Sequence, residues 1–320
     1  MAGSEILEIL SPGALTSVQD LGRYGCGRFG VAPSGALDTF ALRVGNLLVG
    51  NPQDRAGLES MLLGPSLRAL TEVVVSIAGG DLQPQRNGQP IAMWRAHEFK
   101  KDDILSFKTP RSGFRAYISV AGGIDVPLVM GSRSTNLPSG FGGYRGRPLK
   151  KGDILRSEPP GGNPNSAGRA LDSRWIPLYS NKWTLRVIWG PQDDHFPPES
   201  QKLFLSASYA MSPDSDRTGI RLIGPVIPPK ADIAESIISE GVVAGSIQIP
   251  GDGKPIIILG ETVTGGYRKI ATVISADLPF LGQIKPGDEV HFDAVSLEAS
   301  YQALKESEDL IGNIALSLSV

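Results

Sequence analysis

Short runs of β-branched and aromatic residues, each stopped by glycine or proline, set the limits on how this chain can fold. Thr71–Ala78 (TEVVVSIA) meets Gly79-Gly80, and Phe114–Ala121 (FRAYISVA) meets Gly122-Gly123. Trp183–Trp189 alternates and meets Gly190-Pro191, and Lys254–Leu259 and Ala271–Ile274 continue the pattern. Runs of strand length ending in turn signals predict many short strands, packed as sandwiches or barrels. The turns are well supplied: 39 glycines and 25 prolines in 320 residues, spread without a strict period.

Helices are few. Leu37, Phe40, Ala41, Val44, Leu47 and Leu48 have helical spacing, stopped by Gly50-Asn51-Pro52. Pro198–Ala210 and Asp293–Leu310 read as the other two. The segment Phe99–Leu105 (FKKDDIL) is echoed by Leu149–Leu155 (LKKGDIL) and Ile284–Val290 (IKPGDEV). In each, an apolar residue leads into a Lys-x-Gly/Asp-Asp turn and a strand follows, which reads as related β units in barrel-like sheets or as one good generic turn used three times. The expected fold is mainly β with a few helices. The unpackable stretch Glu158–Gly168 divides it into subdomains 1–165 and 166–320.

With 31 Lys and Arg against 33 Asp and Glu, the formal charge is −2, and no basic surplus points to nucleic acid. The lone Cys26 cannot form an internal disulfide, which suits a reducing cytosol. MAGSEILEIL lacks the basic and apolar regions of a signal peptide, and no stretch is apolar over a membrane's width, so the chain reads as cytoplasmic. The three histidines lie far apart, and no spacing suggests a metal site. Gly25–Gly30 fits G-x-G-x-x-G on paper, but no apolar strand precedes it and Pro33 follows where a helix should run. Gly251–Pro255 is the nearest approach to a phosphate loop, with Pro in place of Ser or Thr.

Four segments concentrate polar side chains on glycine-rich backbone, where a ligand can approach main-chain N–H groups. They are Thr16–Gly25 with Val31–Asp38, Gly131–Asn136 with Gly140–Arg147, Gly190–Phe196 with Ser215–Arg221, and Ile247–Lys254 with Thr262–Ile270. The candidate catalytic residues are Lys269, Asp20, Arg23 and Arg217. The candidate binding residues are Gln19, Ser34, Gly35, Arg133, Ser134, Thr135, Gln248, Pro250, Gly251, Asp252, Thr264, Gly265, Gly266 and Tyr267. Lys269 is expected on a solvated turn, its ammonium aimed at an oxygen that gathers negative charge. Several candidates also have a structural reading: Ser34 and Asp38 as helix caps, Gln19-Asp20 with Arg23 as loop bonding, Arg133–Thr135 as a stitch between two strands, Asp216–Arg217 as an ion pair, Asp252 as a turn residue, and Lys269 as a side chain lying along a barrel rim.

At these segments the chain resembles the biotin-dependent carboxyltransferase family, also called allophanate hydrolase subunit 2. The resemblance runs through Ser17–Gly25, Pro33–Asp38, Asn46–Asn51, Gly131–Thr135, Gly190–Asp193, Asp216–Leu222, Ser239–Gly241, Gln248–Gly253 and Thr264–Tyr267. Many members read Gln-Thr-Thr-Gly-Gly-Tyr-Pro where this chain has Thr262–Arg268 (TVTGGYR). The resemblance implies a cyclophilin-like β-barrel architecture. It also implies an obligate KipI-like or 5-oxoprolinase B partner together with an A subunit. The implied activity is ATP-dependent opening of 5-oxoproline to glutamate, with ATP and magnesium used by the complex. Two alternatives come with it: carboxyl transfer from biotin to urea, and a KipA-like regulator that binds a kinase inhibitor. The chain has no Met-Lys-Met attachment site, so biotin would arrive on another protein.

Overall fold

The computed structural model describes residues 3–157, 166–231, 233 and 236–319. Its contacts group the chain into two units. The first comprises 1–24, 34–179 and 310–320; the second comprises 25–33 and 180–309. The division expected at residue 165 falls at the end of a stretch, 158–165, outside the described residues. In this grouping the main changeover lies between Tyr179 and Ser180.

The first unit is built from β1 (Ser4–Ser11), β2 (Leu15–Gln19), helix α1 (Thr39–Leu48), β3 (Gly57–Met61), β4 (Ser66–Ala69), β5 (Val73–Asp81), β6 (Gln85–Arg86), β7 (Gln89–Pro90), β8 (Arg95–Phe99), β9 (Ile104–Ser106), β10 (Ser112–Val120) and β11 (Ile154–Ser157). One sheet has the order β11-β1-β4-β9-β6-β7 and the other β2-β3-β10-β5-β8. Residues of both sheets, including Ile9, Leu58, Leu67, Ile77 and Ile118, share one apolar core. Gly79-Gly80 does not end β5 as expected. The strand runs on to Asp81, because Gly79 adopts φ +83° and lets it continue past an irregularity in its pairing with β10.

Asp38 caps α1, its Oδ1 accepting from the Ala41 N–H at 2.9 Å. The other carboxylate oxygen accepts from the Tyr179 hydroxyl at 2.8 Å. The Tyr117 hydroxyl donates to Glu59 at 2.7 Å and accepts from the Asp38 N–H at 2.8 Å. Burial pushes both phenols well above their ordinary range, and neighbouring carboxylates, Glu59 at Tyr117 and Asp38 at Tyr179, add to it.

The second unit is a closed seven-stranded barrel, which meets the expectation of a β-barrel. It contains β12 (Lys182–Trp189), α2 (Pro198–Ser206), β13 (Tyr209–Met211), β14 (Gly219–Ile223), β15 (Glu240–Gly241), β16 (Ser246–Ile249), β17 (Ile256–Ile258), β18 (Thr264–Gly265), β19 (Arg268–Val273), the single turn α3 (Leu278–Leu281) and β20 (Glu289–Ala294). The barrel order is β12-β19-β16-β17-β14-β13-β20, while β15 and β18 pair with each other as a separate ribbon. Helix α4 (Leu297–Leu318) follows.

Two expected helices are corrected. Pro198–Ala210 stops at Ser206, and Tyr209 and Ala210 enter β13. The start of Asp293–Leu310 belongs to β20, and the helix begins only after Ser296, whose hydroxyl accepts from the Ala299 N–H. The three Lys turns share one geometry. In each, the fourth residue (Asp103, Asp153, Asp288) accepts from the Lys N–H through its carboxylate at 2.7–3.2 Å. The third residue, Asp102, Gly152 or Gly287, takes φ between +71° and +86°. Among the described residues no helix is long and apolar enough to cross a membrane.

Candidate functional site

The candidate residues fall into two sets, one in each unit. In the first unit, β2 runs into a loop whose polar groups bind one another. Asp20 Oδ1 accepts from the Gly22 N–H at 2.8 Å, the Ser132 hydroxyl at 2.7 Å and the Ser134 hydroxyl at 2.5 Å. Its Oδ2 accepts from the Arg133 N–H at 2.5 Å. Arg23, 2 % exposed, donates to Ser134 O at 2.6 Å and to the Ser34 hydroxyl at 3.3 Å, and stacks over Phe141. Gln19 donates to Thr135 O and accepts from the Gly35 N–H, and the Thr135 hydroxyl donates to Val18 O. The Arg133 side chain donates to Val126 O.

Ser34 and Gly35 sit at φ +56° and +90°, and a Cβ on Gly35 would come within 2.9 Å of the Gly22 backbone. Asp20 and Arg23 therefore act here as clamps that stitch segment 131–135 to the end of β2. They reach their partners through the interior and not toward solvent. Ser34 meets Arg23 rather than capping α1, a task that falls to Asp38.

In the second unit, four side chains meet at one edge of the barrel. A register shift between β16 and β19 places Ile247 opposite Ala271 but Gln248 opposite Lys269, leaving Ile270 as the extra residue. Without that bulge Gln248 would face Ile270. With it, Gln248 and Lys269 become cross-strand neighbours. Gly190 lies tight against this point, where a Cβ would stand 2.3 Å from Lys269 O. Two residues on, the Gln192 side chain accepts from the Lys269 N–H at 3.0 Å and donates to Glu240 Oε1 at 2.7 Å. The Lys269 ammonium donates to the same Glu240 oxygen. Lys269 and then Gln192 hold the Glu240 carboxyl below the usual glutamate range.

Glu240 in turn pairs with Gly265 across the β15–β18 ribbon. The space where a Gly265 Cβ would sit is filled by the Gln248 amide, with Nε2 2.1 Å from that position. Gln248 is 4 % exposed, and its Nε2 is buried with no hydrogen-bond partner among the described residues. An unmet buried donor is costly, and carbonyl oxygens are what satisfy it.

Lys269 thus differs from its expected setting. It is a strand residue with a side chain only 5 % exposed, and its ammonium is occupied by an internal carboxylate. Thr264, Gly265, Gly266 and Tyr267 lie on or beside the ribbon, with Tyr267 exposed. Pro250, Gly251 and Asp252 form a turn in which Asp252 accepts from the Lys254 N–H at 3.1 Å. Arg217 is buried against Glu261 at 3.1 Å, while Asp216 accepts from the Thr218 and Gly219 N–H groups instead of pairing with Arg217. Sequence reasoning missed Glu240, Gln192 and Glu261 as site residues. The signal for the first two lay in the short motifs Ser239–Gly241 and Gly190–Asp193.

Residues 29–294 match the family model of the carboxyltransferase domain, subdomain A and B. The chain is 36 % identical to the 5-oxoprolinase C subunit of Escherichia coli strain K12, over 98 % of this chain and 99 % of that protein. It is 38 % identical to urea amidolyase of Saccharomyces cerevisiae over 95 % of this chain, but spans only 17 % of that protein. The solved urea carboxylase of Kluyveromyces lactis superposes on 98 % of this chain with a TM-score of 0.92 at 34 % identity, and this chain covers 29 % of it.

Proposed function

The chain belongs to the carboxyltransferase family of subdomains A and B, and we propose that it serves as the C subunit of an ATP-dependent 5-oxoprolinase. In that role it helps open 5-oxoproline to glutamate together with a KipI-like B subunit and an A subunit. The observation that carries this reading is the end-to-end match to a 5-oxoprolinase C subunit, which leaves almost none of either protein unaligned.

The barrel edge supplies suitable chemistry. 5-Oxoproline carries a carboxylate and a lactam carbonyl. Lys269 offers a cation and Gln248 a neutral N–H donor on adjacent strands. A charge-assisted bond to the carboxylate and a neutral one to the carbonyl would fix the ring's orientation. The turn at Gly251–Lys254 does not fit the phosphates of ATP, because it runs into Pro255 and β17 and opens no helix. ATP and magnesium therefore fall to the other subunits of the complex in this reading.

Biotin-dependent carboxyl transfer is the second reading, favoured by the likeness to the fungal urea carboxylase. Biotin, carried on another protein, would supply the carboxyl group. Its ureido carbonyl and that of urea ask for the same N–H donor as a lactam. Reconstitution with B and A subunits decides between the two. ATP hydrolysis that depends on 5-oxoproline supports the first reading. Its absence, with urea carboxylation on adding a biotin carrier, supports the second.

A further inference from the structure

Lys269 is a buried lysine whose ammonium is reached from the side on which Glu240 lies. The Lys269 side chain is 5 % exposed and the Glu240 side chain 44 %. Glu240 belongs to the ribbon and not to the barrel sheet. An isolated two-stranded pair is marginally stable, so it can shift without breaking the barrel ladder. Gln192 holds both ends of the contact, binding the Lys269 N–H and the Glu240 carboxylate. Across the ribbon, Gly265 opposite Glu240 leaves room for the Gln248 amide and its unpartnered N–H.

A carboxylate on a short arm, held against a buried ammonium beside an unmet amide donor, has the form of an occupied ligand site. We propose that Glu240 is a built-in stand-in for a ligand carboxylate, and that a small carboxylate bearing a carbonyl displaces it from Lys269 while the carbonyl takes the Gln248 N–H. This deepens the reading of the chain as a 5-oxoprolinase subunit, and names the residue that keeps the site closed when no substrate is present. The displaced Glu240 carboxylate stays half in water, so its release is inexpensive. Exchange of one carboxylate for another leaves the charge on Lys269 compensated throughout, which avoids an unpaired buried cation.

The competition is that of a partly exposed ion pair, so removing it changes affinity by about two- to fivefold. The test uses the full chain, titrated with 5-oxoproline, acetate and the neutral lactam 2-pyrrolidinone, with binding read by calorimetry and by amide shifts of Gln248 and Gln192. Glu240→Gln is expected to bind 5-oxoproline two- to fivefold more tightly than wild type and to bind 2-pyrrolidinone unchanged. Glu240→Asp, which keeps the charge but shortens the arm, should gain part of the increase. Lys269→Met should lose 5-oxoproline binding.

Equal or weaker binding by Glu240→Gln, no detectable binding by any variant, or an equal gain for the neutral lactam each overturns the proposal. The outcome is separable from the enzymatic reading. Displaceable carboxylate binding by the chain, with no 5-oxoproline-dependent ATP hydrolysis in the reconstituted complex, refutes the 5-oxoprolinase assignment and leaves the stand-in intact.

Discussion

Asp20 offers the sharpest distinction between a scaffold and a catalyst. Its carboxylate receives four donors at 2.5–2.8 Å, and the residue is 7 % exposed. In Asp20→Asn the remaining oxygen can keep the three donors on the Oδ1 side, but the new amide then faces the Arg133 N–H donor to donor. That orphaned N–H costs about 1–3 kcal/mol, and three charge-assisted bonds fall to neutral strength at about half their value. Together the loss is about 3–5 kcal/mol, in the range for a broken buried network. For a unit of this size each kcal/mol lowers the melting midpoint by about 2–4 °C, so a fall of about 6–20 °C is expected. Urea denaturation followed by circular dichroism gives the stability. Turnover of the reconstituted complex, divided by the folded fraction, gives the activity and should stay within about threefold of wild type. A variant that melts with wild type but turns over a hundredfold more slowly would refute the clamp and make Asp20 a catalytic residue.

Lys269→Met should lower kcat/KM for 5-oxoproline by about 10–100-fold, the value of about 1.5–3 kcal/mol for a hydrogen bond from a charged group, and steady-state kinetics of the complex will check it. Gly265→Ala puts a methyl group where the Gln248 amide lies, so activity should fall at least tenfold while the melting point moves little, since a side-chain tip and not backbone must yield. Tyr117→Phe removes the donor to Glu59 and the acceptor for the Asp38 N–H and should cost about 1–3 kcal/mol in denaturant. Because burial raises the Tyr117 pKa, its contribution is full below the ordinary phenol range and is lost as pH rises through the folded-state value. The stability gap between wild type and Phe variant should therefore shrink only at strongly alkaline pH. Glu240 is the opposite case. Its pKa is lowered, so the stability difference between wild type and Glu240→Gln should be constant above the ordinary glutamate range and vanish as pH falls through the depressed value, as acid titration of both proteins will show.

The strands are readable because β-branched runs and their glycine stops are local signals, and so are the Lys turns, whose Asp and left-handed residue lie within four positions. Other features are hidden by their non-local causes. Val290 and Phe292 alternate over too few residues to outweigh the helical run that follows, so the end of β20 reads as the start of a helix; its pairing with β12 fixes it as a strand. Asp20 and Arg23 look catalytic because carboxylates and guanidiniums in glycine-rich loops read alike whether they meet a ligand or the chain itself. The difference lies in donors and acceptors from segment 131–135, over a hundred residues away. Glu240 carries no signal beyond one acid between a serine and a glycine. Its meaning comes from two registers, the ribbon pairing with Gly265 and the bulge at Ile270 that turns Lys269 toward Gln248. A bulge is one residue of mismatch between strands distant in sequence, and alternation within either strand does not reveal it. Regular pairing of the same sequence without the bulge would set Gln248 opposite Ile270 and Lys269 opposite Ile249. The barrel ladder could still close, but the cation, the amide and the stand-in carboxylate would no longer meet. The one residue that disturbs the sheet is therefore the one that assembles the site.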